Sequence, residues 1–211
     1  MSLVKNLFYD VENFNLNIPE WHLPDSGIVA LLGPSGAGKT TIFKILLGLI
    51  PCPTLEWIFN GEDLAKLSVQ KRKLGVVFQS LELFPHLTAR QNILFAAKAR
   101  QIPQNIINSN LELFSIDLDM KKFLDRKVEF LSGGEKQRTA MARALMGEPI
   151  FLFLDEPFSS LDEELKSDAR MLVKKILAKK KTPTLLITHD PRDIEQMADH
   201  VFHLKGGHLT T

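Results

Sequence analysis

The chain has 211 residues, 45% hydrophobic and 24% charged, enough apolar material for a real core with a subdomain attached. A formal net charge of +1 gives no broad basic field, so no nucleic-acid partner is expected. The single cysteine, Cys52, excludes an internal disulfide framework and suits a reducing compartment, and no apolar run reaches the length of a bilayer span.

At the N-terminus, Met1–Asn6 lacks the basic-then-apolar pattern of a secretion leader. Residues 3–31 read as short β pieces, Leu3-Val4, Leu7–Tyr9, Phe14–Ile18 and Trp21–Leu23, broken by Pro19, Pro24 and Gly27. Ile28–Leu32 is an apolar run that reads as a buried strand. It leads into Gly33-Pro34-Ser35-Gly36-Ala37-Gly38-Lys39-Thr40-Thr41, which fits G-x-x-x-x-G-K-[ST] between a strand and a helix. Glycines let the backbone curl so that successive N–H groups face one concave nest, and the following helix turns its positive end to the same spot. Lys39 adds a full charge suited to β- and γ-phosphates, and the Thr40 hydroxyl suits a phosphate-bound Mg2+. The pattern reads as a phosphate cradle. The helix ends near Gly48, with Pro51 and Pro53 beyond it, and Leu55–Phe59 alternates into the turn pair Asn60-Gly61.

Lys73–Phe78 reads as a second buried strand ending in Gln79. After a loop over 80–87, Thr88 and Gln91 form a capping box for a helix running to about Arg100, and helical periodicity continues over 104–125. Ser132 and Glu135 form a second capping box, which contains Gly133 and Gly134 and opens a helix to Leu145. Ile150–Leu154 is a continuous apolar run, as for a parallel strand covered on both faces, and it ends in Asp155-Glu156-Pro157. A long helix follows over 162–180, where Lys174, Lys175, Lys179, Lys180 and Lys181 read as a solvated end that complements the helix dipole. Thr184–Ile187 is a strand ending in Thr188-His189-Asp190. Pro191–Ala198 is a short helix, and Val201–Leu204 with the Gly206-Gly207 turn closes the chain. Alternating strands and helices predict a parallel α/β sheet. Gly33, Gln79, Asp155 and His189 each follow an apolar run, so they are expected along one edge of it.

A carboxylate at the end of the most apolar strand can hold Mg2+ through water, and its neighbour can polarise an attacking water, which assigns candidate roles to Asp155 and Glu156. The two glycines inside the Ser132 box cost helix stability, and close approach of a backbone to an anion supplies a reason for them. On these residues the chain resembles the ATP-binding cassette (ABC) ATPases. Leu131–Arg138 is similar to their signature motif. The phosphate loop, Gln79, Ile150–Glu156, Ser159-Ser160-Leu161-Asp162 and His189 stand in that family's order, and the likeness covers essentially the whole chain. The resemblance implies a P-loop NTPase core with helices flanking a parallel sheet, an N-terminal antiparallel β part and an inserted helical subdomain. One nucleotide-binding domain over 1–211 would then have its core at 1–79 and 148–211 and its helical subdomain at 80–147.

The resemblance also implies roles for single residues. Gly33, Pro34, Ser35, Gly36, Ala37, Gly38, Lys39, Thr40 and Thr41 hold the phosphates of ATP. Thr40 and Asp155 serve Mg2+, Gln79 contacts Mg2+ or the attacking water and senses the membrane partner, Glu156 is the general base, and His189 contacts the γ-phosphate. Ser132, Gly133, Gly134 and Glu135 reach the ATP of a second copy, so that two chains packed head to tail close two sites. Tyr9 has the spacing of the residue that stacks on adenine, with Phe8 and Phe14 as alternatives. Further partners implied are a membrane permease docked over Gln79–Ile93 and a solute-binding protein, which places the chain at the cytoplasmic face of the membrane. Phe84–Thr88 and Asp155–Ser159 are similar to bacterial importers of small polar solutes or ions. An exporter or lipid-transport ATPase and a soluble ABC ATPase are the alternatives. A P-loop kinase or GTPase would lack Leu131–Arg138, and no guanine-reading N-K-x-D occurs.

Overall fold

The structure, a computed structural model, describes residues 2–11 and 14–210. It divides into two compact units, residues 1–74 with 183–211, and residues 75–182.

The first unit opens with two ten-residue antiparallel strands, β1 (Ser2–Val11) and β2 (Phe14–Leu23), where the sequence suggested shorter pieces. Pro19 does not break β2, because it falls at the position facing Asn6, between the pairs Lys5–Glu20 and Leu7–Ile18. Asn6 takes a left-handed φ of 53°. Both strands shift phase there: the buried positions step from Val4 to Leu7 and from Ile18 to Trp21, so all four face the core. β2 is an edge strand, in a sheet ordered β2-β1-β4-β5 with β4 (Glu56–Phe59) and β5 (Glu62–Asp63). An edge tolerates the missing proline N–H. Asn60 and Gly61, with φ of 50° and 83°, form the two-residue turn between β4 and β5 expected of that pair.

The same unit contains the strands β10-β9-β3-β8, where β3 is Ile28–Leu32, β8 Thr184–Ile187, β9 His200–Lys205 and β10 His208–Thr210. β3 pairs in parallel with β8 on one side and β9 on the other. Helix α1 (Lys39–Leu47) follows β3, and its C-terminal Gly48 has a φ of 80°. Arg72, almost fully buried, donates from its guanidinium to the carbonyls of Leu46, Ala65 and Leu67, at 2.7, 3.0 and 3.2 Å. Helix α6 (Pro191–Met197) starts with its proline in the first turn, as expected.

In the second unit β6 (Leu74–Val77) and β7 (Phe151–Asp155) are neighbours. The helices are α2 (Ala89–Ala99), α3 (Gln104–Asp117), α4 (Gly133–Met146) and α5 (Glu163–Lys180). α3 stops earlier than the periodicity suggested. Asp119 turns left-handed with φ of 45°, and Met120, Phe123 and Leu124 reach the core from hydrogen-bonded turns instead.

The lysines near the end of α5 do more than face solvent. Asp117, only 2% exposed, takes Lys179 Nζ at 2.5 Å and Lys175 Nζ at 3.0 Å. Lys180 Nζ donates to Glu148 at 2.8 Å and to Asn110 at 2.6 Å. The Lys179 hydrogen bond, aided by Lys175 and opposed by burial, holds the Asp117 carboxyl below the usual range. These contacts tie α3 to α5. They give Lys175, Lys179 and Lys180 specific partners, while Lys174, Lys175, Lys179 and Lys181 stay exposed at the helix end, as expected.

Candidate functional site

The phosphate-loop sequence lies where β3 gives way to α1. Ile28–Leu31 are buried, so the strand is fixed on both faces and the loop leaves it from a rigid end. The register pairs Leu31 with Ile187, so the residues that follow β3 and β8 emerge side by side. Gly33 and His189 therefore share one end of the sheet, as expected for this pair. His189 is exposed, between the buried Thr188 and Asp190, which caps α6 by accepting from Arg192 N–H at 2.9 Å. The Thr188 hydroxyl donates to the buried Asp193 at 2.5 Å and accepts from Asp190 N–H at 3.1 Å.

α1 begins in an unusual way for a helix. Its N-cap is Gly38, left-handed at φ 102°, with no side chain capping the N–H groups and no acid in the first turn. Helix N-termini normally recruit a Ser, Thr, Asp or Asn oxygen for those donors. A side chain at Gly38 is also blocked by space, because an added Cβ would lie 2.3 Å from the Phe14 ring. Lys39 Nζ donates to the carbonyls of Gly33 at 2.7 Å and Pro34 at 3.0 Å, which holds its charge over the loop. Beside the loop lies an open groove of about 460 Å³, lined by Phe14, Asn15, Pro34, Ser35, Gly36, Ala37, Gly206 and Gly207. Tyr9 does not line it. It stands half-buried with its ring edge-on to Phe14, centroids 6.5 Å apart. The turn at Gly206-Gly207 had carried no functional reading in the sequence.

In the second unit, Asp155 is half-buried at the end of β7 and Glu156 follows it with a left-handed φ of 50°. Ser159 holds that strained residue, donating from N–H at 3.2 Å and from Oγ at 2.9 Å to the Glu156 carbonyl. Gln79 follows β6 and is exposed at a corner of the turn closed by Leu81 N–H on Phe78 O, 2.9 Å. Two side chains that the sequence reading passed over shape this region. Arg143 of α4 grips the carbonyls of Leu81 and Glu82 at 2.7 and 2.6 Å. Asn92, fully buried on α2, bonds to both the N–H and the carbonyl of Phe84, at 2.9 and 3.1 Å.

Both capping boxes are complete. Thr88 Oγ1 accepts from Gln91 N–H while Gln91 accepts from Thr88 N–H. Ser132 Oγ accepts from Glu135 N–H while Glu135 accepts from Ser132 N–H. Glu135 differs from Gln91 in carrying a charge, which Arg126 meets in a close ion pair. Burial pushes the Glu135 carboxyl up, but the Ser132 N–H and Arg126 outweigh it and hold the group below its ordinary value. Arg126 is a third residue that the sequence reading missed. An added Cβ on Gly134 would meet nothing within 4 Å. The protein's own packing does not demand a glycine there.

A buried parallel strand, a glycine-capped helix with lysine at its first position, an antiparallel β part and a helix-rich second unit define a P-loop NTPase fold of the α/β class. A solved dimer of the ATP-binding cassette MJ0796, in a post-hydrolysis state with ADP and Pi, superposes with a TM-score of 0.81 at 25% identity, covering 100% of this chain and 97% of that one. The family model for ABC transporter matches residues 16–159, and the chain belongs to that family. Among curated relatives, the sn-glycerol-3-phosphate import ATP-binding protein UgpC 1 of Rhizobium etli is 33% identical over 94% of this chain. The sulfate/thiosulfate import ATP-binding protein CysA of Thermosynechococcus vestitus is 37% identical over 89%, and the Fe(3+) ions import ATP-binding protein FbpC of Escherichia coli 35% over 94%. The chain spans 56% of the length of each of these three relatives. Among the described residues, no helix is long and apolar enough to cross a membrane.

Proposed function

We propose that the chain is the ATP-hydrolysing subunit of an ABC transporter of the importer type. The observation that carries this reading is the start of α1. Among the described residues, its N-cap glycine leaves the helix N–H groups without a side-chain acceptor, next to a lysine ammonium held on the backbone carbonyls of Gly33 and Pro34. Such a terminus suits a polyphosphate, whose oxygens replace the missing cap and draw Lys39 off its own loop. Taken one by one, the residues that the family likeness assigns to Mg2+ have suitable chemistry: Thr40 offers an exposed hydroxyl, Asp155 a half-buried carboxylate and Gln79 an amide oxygen, all hard donors. When bound, Mg2+ supplies charge neutralisation on the phosphoryl oxygens.

In this reading, Gly33 to Thr41 cradle the phosphates. Glu156, fixed in its left-handed conformation by Ser159, takes the proton of the attacking water. His189 donates to the γ-phosphate from the sheet end it shares with Gly33. The groove wall favours Phe14 over Tyr9 as the ring under the base, since Phe14 lines the groove and Tyr9 stands behind it. The open space at Gly134 suits close approach by a second copy's nucleotide, so Ser132 to Glu135 act in trans. Residues 80–147 form the helical subdomain of a single nucleotide-binding domain, and its exposed Phe95, packed on Phe84, offers an apolar foothold for a permease at the cytoplasmic face. A solute-binding protein completes an importer. The relatives' names cover a phosphate ester, sulfate or thiosulfate and ferric ion, so solute choice lies with the membrane and binding subunits.

The test is Glu156→Gln. It should retain ATP binding, abolish turnover and trap an ATP-dependent dimer seen by size-exclusion chromatography. Near-normal hydrolysis would remove Glu156 from its role. Equal weakening of ATP binding by Phe14→Ala and Tyr9→Ala would overturn the choice of Phe14.

A further inference from the structure

The turn that carries Gln79 does not hold its shape through local sequence alone. Phe78 O accepts from Leu81 N–H at 2.9 Å, and Ser80 O accepts from Glu82 N–H at 2.7 Å. To make those bonds, Leu81 and Glu82 both adopt left-handed backbone, with φ of 60° and 46°. Neither is a glycine or an asparagine, so two consecutive residues sit in a conformation that side chains with a Cβ disfavour. The Ser80 hydroxyl donates to the Glu82 carboxylate at 2.5 Å, a local side-chain support. The long-range support comes from Arg143, 62 positions away from Leu81 on α4. Its Nη2 donates to Leu81 O at 2.7 Å and its Nη1 to Glu82 O at 2.6 Å. A planar guanidinium presents two donors in a fixed fork, so it fixes the spacing of the two carbonyls as well as their positions. Burial lowers the affinity of Arg143 for its proton and the Glu82 carboxylate raises it, but a guanidinium stays charged, so both donors persist across the working pH range.

We propose that Arg143 is the positioning residue for Gln79. It holds the two strained residues that close the Gln79 turn, and because it stands on the helix opened by the Ser132 box, the presentation of Gln79 depends on where α4 lies. Strain of this kind persists only where surrounding structure over-determines it, and here Arg143 supplies that constraint. The inference rests on the reading of Gln79 given above.

The amides of Leu81 and Glu82 report the clamp directly, because both are hydrogen-bonded inside the turn. In the purified chain, Arg143→Met should speed their deuterium exchange on the order of tenfold, leaving the amides of α2 and β7 unchanged. ATP turnover should fall roughly 10- to 100-fold, the scale of loss produced by ångström misplacement, with the ATP concentration at half-maximal rate little changed. Arg143→Lys keeps the charge and a donating nitrogen but not the planar two-nitrogen fork, and should fall between Met and wild type in both measurements. Glu82→Gly placed on Arg143→Met should recover part of the loss, because glycine adopts the left-handed conformation without help. A role for Arg143 confined to packing would give no such recovery. Unchanged exchange at 81–82 in Arg143→Met, or no recovery with Glu82→Gly, overturns the proposal. If Gln79→Ala itself hydrolyses ATP at the wild-type rate, the assignment of Gln79 fails while the exchange result still decides whether Arg143 holds the turn. Should Arg143→Met fail to fold, Arg143→Lys carries both measurements, and wild-type exchange there is the overturning result.

Discussion

Helices α1 and α4 both begin in sequence stretches rich in glycine, yet their N-termini are finished in opposite ways. α1 has a left-handed glycine cap, no side-chain acceptor and no acid in its first turn. α4 is closed on itself, with Ser132 and Glu135 exchanging hydrogen bonds and Arg126 neutralising the glutamate. An uncapped terminus keeps its donors for a ligand, whereas the box at α4 occupies the N–H groups of Ser132 and Glu135 and does not engage those of Gly133 and Gly134. The glycines differ accordingly. Gly38 is forced by a positive φ and by the Phe14 ring, but Gly134 has open space around it. One glycine is required by the chain's own fold. The other is not demanded by the chain's own packing, which fits the proposed approach of a second copy's nucleotide.

The largest effect should come from closing the open terminus. Gly38→Ala puts a methyl group against Phe14 in a disfavoured conformation, and ATP binding by fluorescence titration should weaken on the order of 100-fold, allowing about 1–2 kcal/mol for the backbone alone. Gly134→Ala sharpens the contrast. Its Cβ meets nothing, so the melting temperature should stay within about 2 °C while turnover drops at least tenfold, a change expected only if a partner approaches there. A large loss of melting temperature would assign Gly134 to the fold instead. Ser132→Ala removes a cap and should destabilise by about 1 kcal/mol in urea unfolding. Mixing Ser132→Arg with Lys39→Ala chains should restore one working site per mixed dimer, and no rescue at any ratio would count against action in trans.

The smallest effect is on pH dependence. Glu135 titrates below its ordinary value when folded, so its contribution to stability is complete above the unfolded carboxyl value, about 4.3, and is lost as pH falls through the folded value. Glu135→Gln keeps the box and should flatten that acid limb in melting curves between about pH 5 and 3. The α1 terminus, with no acid in its first turn, has no corresponding limb of its own.

Features set by neighbouring residues were legible in the sequence. The phosphate-loop pattern between β3 and α1, both capping boxes and the Asn60-Gly61 hairpin each depend on a few adjacent residues, and each forms as read. The missed features depend on distant partners. Arg143 and the α5 lysines, and Arg72 through its bond to Leu46 O, are long side chains whose targets are carbonyls or acids far along the chain, and nothing in their spacing announces those targets. The full length of β1 and β2 was hidden for a related reason. Pro19 looks like a break when read alone, Asn6 carries no signal, and only pairing across the sheet turns the two into a joint change of phase. The early end of α3 was hidden because Met120, Phe123 and Leu124 keep helical spacing while reaching the core from turns.

That joint irregularity also protects the molecule. β2 is the outer strand of its sheet, and an outer strand with a full row of unpaired backbone donors is a template for adding another chain. Pro19 removes one donor from the row, and Gly207 O takes another from Asn17 N–H at 2.8 Å while its own backbone lies close against Asn15. With no continuous edge on offer, β2 is a poor place for a second copy to add a strand. This favours association through faces specified by side chains and ligand over fibre-like growth at the sheet edge.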